Sequence, residues 1–331
     1  MKVLFIGGTG NISSAVSRLV AERGIDLFHL NRGTKKNNIP GVKTFTGDIS
    51  ASNPFPDELL KHDWDAVINW IAFNEADIER DLKFFKNKTK QYIFISSATV
   101  YHKPSVQTIV SESTPLHNPF WDYASNKIKC EERLMRAYRD EQFPVTIVRP
   151  SLTYETVIPI AIGGFDEYTA ADRIIKGKKI IIHDDGKSFW TVTHSEDFAK
   201  GFIGLIGNEK SIGQAFHITS DEVLTWNQIY STLAEALGRK ANIVHIPTKF
   251  ICRINPDNTG TLIGDKAEST IFDNSKIKKF VPDFKATILF KEGIKRTINW
   301  FNEDPERKII NINTNRIMDL IIEKYENEFP G

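Results

Sequence analysis

The chain has 331 residues, enough to bury a large core and to carry two lobes. Its 43 Lys and Arg nearly balance 42 Asp and Glu, which argues against nucleic acid or an anionic membrane as the main partner. No apolar run approaches the ~18 residues of a membrane span, and Cys130 and Cys252 stand too far apart for a metal-ligand pair, so they read as reduced thiols.

Met1-Lys2-Val3-Leu4 already reads as the start of a strand, so a cytoplasmic protein with no secretory leader is expected. Val3-Leu4-Phe5-Ile6 is a short continuous apolar run, as a strand buried on both faces requires. It runs into Gly7-Gly8-Thr9-Gly10-Asn11-Ile12-Ser13, after which Ala15, Val16, Leu19 and Val20 recur at helical spacing. The glycines therefore sit at a strand-to-helix turn, where backbone N–H groups and the positive end of a helix suit an anionic pyrophosphate. Gly7 permits the tight turn and Gly10 lets a phosphate approach the backbone. Ser13 stands where a third glycine or alanine would ease close packing. Further strands are expected over residues 27–30, 42–46, 66–70, 92–96 and 145–149, alternating with helical patterns. That rhythm predicts an α/β fold, a doubly wound parallel sheet with helices on both faces and its ligand edge at the carboxyl ends of the strands.

The stretch from Pro104 to Trp121, rich in Ser, Thr, Pro and His, reads as a long loop walling the site. It leads into Tyr123-Ala124-Ser125-Asn126-Lys127. Tyr and Lys at i and i+4 share one helical face, so Lys127 is expected to favour the Tyr123 phenolate and lower a pKa that starts near ~10. Ser97, at the end of the strand before, offers a hydroxyl to the same substrate oxygen, and the set would move a proton on or off a carbinol. The competing reading of such a pair is a solvated helix face.

Beyond Ser151 the rhythm loosens. Gly163-Gly164-Phe165-Asp166 reads as a bend, Ile180-Ile181-Ile182-His183 as a strand, and Leu224 as the start of an amphipathic helix running to Leu237 and stopped by Gly238. From Thr314 to Glu328, Ile317, Leu320, Ile321 and Tyr325 fall on one helical stripe, for docking on the body or for a homodimer contact. His183, His194 and His217 lie at strand ends without short-spaced carboxylate partners and read as structural, so no metal is expected.

Together these residues resemble the short-chain dehydrogenase/reductase superfamily, in its extended, NAD-dependent epimerase/dehydratase-like branch. The resemblance also rests on Ser96-Ser97-Ala98-Thr99-Val100-Tyr101, Val148-Arg149-Pro150, Asp185-Gly186 and His194-Ser195-Glu196-Asp197-Phe198-Ala199. Asn31-Arg32-Gly33, Gly264-Asp265-Lys266 and Phe272-Asp273-Asn274-Ser275-Lys276 look like its atypical members, which include relatives of chloroplast stem-loop-binding proteins. It implies a Rossmann dinucleotide domain over residues 1–150, a smaller C-terminal substrate lobe over 151–305 interleaved with late strands of the sheet, and a helical tail over 306–331.

The resemblance assigns catalysis to Ser97, Tyr123 and Lys127, with Lys127 also on the nicotinamide ribose. It places Gly7, Thr9, Gly10, Asn11, Ile12, Asn31, Arg32, Asp48, Ile49, Ala72 and Pro150 around the dinucleotide, Asp48 at the adenine and Ala72 beside the adenosine ribose. A carboxylate normally ends the second strand and binds the ribose hydroxyls. Here neutral Asn31 followed by Arg32 suits a 2′-phosphate, so NADP is favoured over NAD. Sugar 4,6-dehydratases carry Asp-Glu where this chain has Ala98-Thr99, which exchange no protons near neutral pH. What remains is net reduction or oxidation at a carbinol, or the transient oxidation of an epimerase.

At the substrate, Thr99, Trp121, Trp190 and Lys266 are expected. Trp190 stands where the resembling epimerases carry an Arg for the sugar diphosphate, and Leu262 and Ile263 where a second Arg is usual. Lys266 offers a point charge instead, and Phe189, Trp190 and Trp121 offer faces for a sugar ring, or else are core. The expected function is an NAD(P)-dependent oxidoreductase or epimerase acting on a sugar or nucleotide sugar. The alternative is a dinucleotide-sensing or RNA-binding protein on the same scaffold, against which the retained Tyr123 and the balanced charge count.

Overall fold

The computed structural model describes residues 1–34, 39–50 and 55–330. Seven parallel strands form its central sheet: β1 (Lys2–Ile6), β2 (Asp26–Asn31), β3 (Lys43–Thr46), β4 (Ala66–Asn69), β5 (Tyr92–Ile95), β6 (Val145–Pro150) and β7 (Ala215–Ile218). Their order across the sheet is β7-β6-β5-β4-β1-β2-β3. The winding direction reverses between β1 and β4, and this opens a crevice at their carboxyl ends.

Alternation along β1 sorts the two faces. Val3 and Phe5 pack with Ala15 and Val16 of α1 (Asn11–Glu22), while Leu4 and Ile6 join Ile78, Leu82 and Phe85 of α2 (Glu75–Phe85) and Leu134 and Ala137 of α3 (Asp122–Glu141). Because both faces are covered, all four of these β1 side chains are fully buried, each contributing about 1.5–3 kcal/mol of apolar transfer. The first face is completed from the far end of the chain, by Phe198 and Phe202 of α4 (Ser195–Ile203), Phe216 of β7, Ile277 and Phe284. The buried members of a separate apolar cluster lie between Tyr154 and Ile322. It packs α5 (Trp226–Ala236), α6 (Phe290–Asn302) and α7 (Ile312–Glu328) against the parallel pair Lys179–His183 and Asn242–Ile246.

Three local departures from the sequence reading have physical causes. Helix α5 begins at Trp226 because Leu224 and Thr225 pair with Phe189–Trp190, and the Thr225 side chain caps the helix by accepting the Gln228 N–H. The loop before α3 is tied down by Ile109–Val110, which pairs with Ile271–Phe272. On α7 the docked stripe runs through Ile317, Met318, Ile321, Ile322 and Tyr325, leaving Leu320 40% exposed because it lies off the i, i+4 row. No helix among the described residues is long and apolar enough to cross a membrane.

Candidate active site

A cleft of about 870 Å³ opens at the carboxyl edge, between the glycine turn and the start of α3. Gly7 adopts φ +84°, and a Cβ there would strike the Ile71 side chain at 2.7 Å. Its N–H is held by the Leu30 carbonyl at 3.0 Å. Gly10 differs: a Cβ there would meet nothing nearer than Ser13 Oγ at 3.4 Å, so what it would fill is the cleft. Ser13, in place of the usual third small residue, accepts the Gly10 N–H at 2.8 Å. Asn11 anchors the turn to the chain beyond β6, donating to the Thr153 carbonyl at 2.9 Å and accepting the Thr156 N–H at 3.0 Å. Thr9, Asn11, Ile12 and Pro150 line the same wall. A bare glycine edge at the N-terminus of a 12-residue helix fits a dinucleotide pyrophosphate.

At the far side of this end lie Asn31, Arg32, Asp48 and Ile49. The exposed Asp48 carboxyl accepts the Ser50 N–H at 2.9 Å, and that bond, with Arg32 nearby, holds it below the usual range. Ala72 is a correction. Its side chain is fully buried and its carbonyl accepts from Lys127, so Ile71 and Phe73 form the wall instead. Phe73 and Phe165, both on this cleft, were missed because only their exposure distinguishes them from core aromatics.

Tyr123, Ser97 and Lys127 converge on the opposite end of the cleft. Ser97 Oγ accepts both the Thr99 N–H at 3.3 Å and the Thr99 hydroxyl at 3.0 Å. Both lone pairs are thereby engaged, and its own proton is left to donate toward the phenol or a ligand. Burial pushes the Tyr123 pKa up, hydrogen bonding with Ser97 opposes this, and the Asp265 carboxylate adds to the rise. The expected lowering by Lys127 is therefore overturned. Its ammonium donates to the Ala72 and Ile95 carbonyls at 2.7 and 2.8 Å and lies 5.8 Å from the Tyr123 ring centre. Desolvation there draws the Lys127 pKa down to about 8.

Trp121 stands beside Tyr123, ring centres 5.1 Å apart, with its back against Gly260 and Gly264. Lys266 lies 5.8 Å over the Trp121 ring and pairs with Asp265 at 3.0 Å. These two residues sit on a π-helical turn, Leu262–Lys266, a distortion that local periodicity does not reveal. Trp190 is a second correction. It is 2% exposed and stacked on Trp226 at 5.7 Å, so it belongs to the core and offers no face to a substrate. His183 bonds the Lys266 carbonyl, His194 caps α4, and His217 links Tyr101 to the Asp273 carbonyl.

The geometry agrees with what similar proteins are. A match to the NAD dependent epimerase/dehydratase family spans residues 3–219. The chain is 23% identical over 291 residues to 2'-dehydrokanamycin reductase of Streptomyces kanamyceticus, covering 86% of this chain and 80% of that protein. It is 22% identical to a UDP-N-acetyl-alpha-D-glucosaminuronate decarboxylase of Bacillus cytotoxicus, covering 91% and 98%. Among solved structures, an epimerase of Methanothermobacter thermautotrophicus superposes with TM-score 0.73 at 18% identity, over 92% and 93% of the two chains. The UDP-glucuronic acid 4-epimerase of Bacillus cereus, in complex with NAD, gives 0.70 at 18% identity, over 92% and 97%. With a parallel seven-stranded sheet, a glycine turn at its switch point and the Tyr-Lys helix across the crevice, this chain belongs to the NAD-dependent epimerase/dehydratase family of enzymes.

Proposed function

We propose that the protein is an NAD(P)-dependent oxidoreductase of the extended short-chain type, acting at a carbinol or carbonyl of a sugar or nucleotide sugar. The observation that carries this reading is the meeting of Tyr123 and Ser97 at one end of a cleft whose other end is the open glycine turn. When bound, a nicotinamide dinucleotide supplies hydride transfer. The protein's part is to hold the substrate oxygen between the Ser97 and Tyr123 hydroxyls and move a proton at that oxygen. Because burial keeps the phenol protonated at neutral pH, Tyr123 rests with a proton available to donate to a carbonyl oxygen. Lys127 acts as a tie between the ends of β4 and β5 beneath the phenol. Ala98 and Thr99 bring no acid or base for elimination, and Arg32, exposed at the end of β2, is our choice for a 2′-phosphate contact favouring NADP.

Mass spectrometry of the purified protein after mild denaturation, followed by a substrate panel, tests the reading. Net NADPH oxidation with a carbonyl sugar supports it. Tightly retained NAD with no net redox change moves it to the epimerase form, and binding without any turnover defeats it.

A further inference from the structure

His29 lies beneath the glycine turn, 2% exposed and stacked on Phe5 at 5.7 Å. A Cβ on Gly8 would sit 2.4 Å from its Nε2, so ring and turn are in direct contact. Around them runs a closed set of contacts: Gly8 N to Asn31 Oδ1 at 3.1 Å, Asn31 Nδ2 to His29 Nδ1 at 3.4 Å, His29 Nε2 to Ser17 Oγ at 2.9 Å, and Ser17 Oγ to the Gly8 carbonyl at 3.2 Å. The backbone fixes every proton in it. Gly8 N–H only donates, so the amide oxygen of Asn31 must face it and the amide nitrogen must face His29. Nδ1 then accepts, which leaves the proton of a neutral imidazole on Nε2. Nε2 donates to Ser17, whose own proton goes to the Gly8 carbonyl. Burial holds the His29 pKa down to about 4, so the ring stays neutral under ordinary conditions.

We propose that Ser17, His29 and Asn31 form a positioning relay that locks both polar groups of the Gly8 peptide and so sets the shape of the dinucleotide-binding turn. The relay explains Asn31 without reference to a ribose. An Asp there would accept from Gly8 but could not donate to Nδ1, so His29 would shift its proton to Nδ1 and Ser17 would turn to donate to Nε2, releasing the Gly8 carbonyl. Positions 29 and 31 are thereby coupled. Among the described residues the Thr9, Asn11 and Ile12 N–H groups have no protein acceptor on this wall, so the locked Gly8 leaves those donors for a pyrophosphate.

The proposal rests on the dinucleotide reading, and ¹⁵N-histidine NMR on the full chain separates the two. His29, assigned by difference from His29→Phe, should show the Nε2–H tautomer without titration from pH 5 to 8, and Asn31→Asp should convert it to Nδ1–H. His29→Phe, which keeps an aromatic ring for the stack on Phe5, should bind NAD or NADP about tenfold more weakly by calorimetry, the size of one buried hydrogen bond. A wild-type Nδ1–H or titrating ring, an Asn31→Asp protein with an unchanged tautomer, or undiminished affinity in a folded His29→Phe protein would each overturn the relay. A wild-type chain with the Nε2–H tautomer that binds neither dinucleotide would leave the relay standing and remove the cofactor reading instead.

Discussion

The glycine-turn end of the cleft and its Tyr123 end differ in how the chain builds them. The first is built on the turns that follow β1, β2 and β3, which lie close together in the chain. The second gathers the start of α3, the turn after β5 and a π-helical turn some 140 residues further on, so its shape depends on long-range packing. Backbone donors and glycines at the first end suit a ligand part that varies little. At the second, Trp121 packs beside Tyr123, with the Asp265–Lys266 pair buried behind it.

The largest way to break this comparison is Gly10→Val. Open space on the protein side predicts a folded chain that no longer binds a dinucleotide, and unchanged cofactor titration would move the cofactor elsewhere. Next is Trp190→Ala. Burial against Trp226 predicts a loss of about 3–5 kcal/mol in denaturant unfolding, whereas a raised KM with unchanged stability would return Trp190 to the substrate end. Acid should separate core from site more gently. His29, His183 and His194 are each buried with pKa drawn down from 6.5 to about 4. The unfolded chain therefore binds more protons between those values, and stability present above pH 6.5 should fall as pH drops toward 4, by on the order of a few kcal/mol per group. Stability flat over that range would contradict the neutral buried rings. The smallest effect is Arg32→Ala, which should weaken NADP binding about tenfold more than NAD binding. Equal losses would remove the NADP preference.

The same contrast explains what was legible in the sequence. The positions of the first six strands, the glycine turn and the Tyr123-Lys127 face follow from spacing alone, because strand and helix periods fix which side chains share a face. Trp190 and Ala72 were misplaced for a different reason. Ala72 follows a strand and Trp190 lies on one, each at a plausible position, but whether such a residue meets solvent, ligand or another aromatic is decided by Lys127 and Trp226, 55 and 36 residues away. The Lys127 expectation failed similarly: spacing put it on the Tyr123 face, and two carbonyls at the ends of neighbouring strands then claimed its ammonium. His29 gave no signal, since a histidine within an apolar run shows its hydrogen bonds only once the turn above it is folded.

The account turns on Tyr123 as the proton donor at the substrate oxygen. Its most direct test is the steady-state rate of Tyr123→Phe on a carbonyl substrate, with cofactor affinity measured in parallel. The account predicts a fall in kcat of about 10²- to 10⁴-fold with dinucleotide binding nearly intact. A Tyr123→Phe protein that turns over its substrate at near the wild-type rate would contradict it.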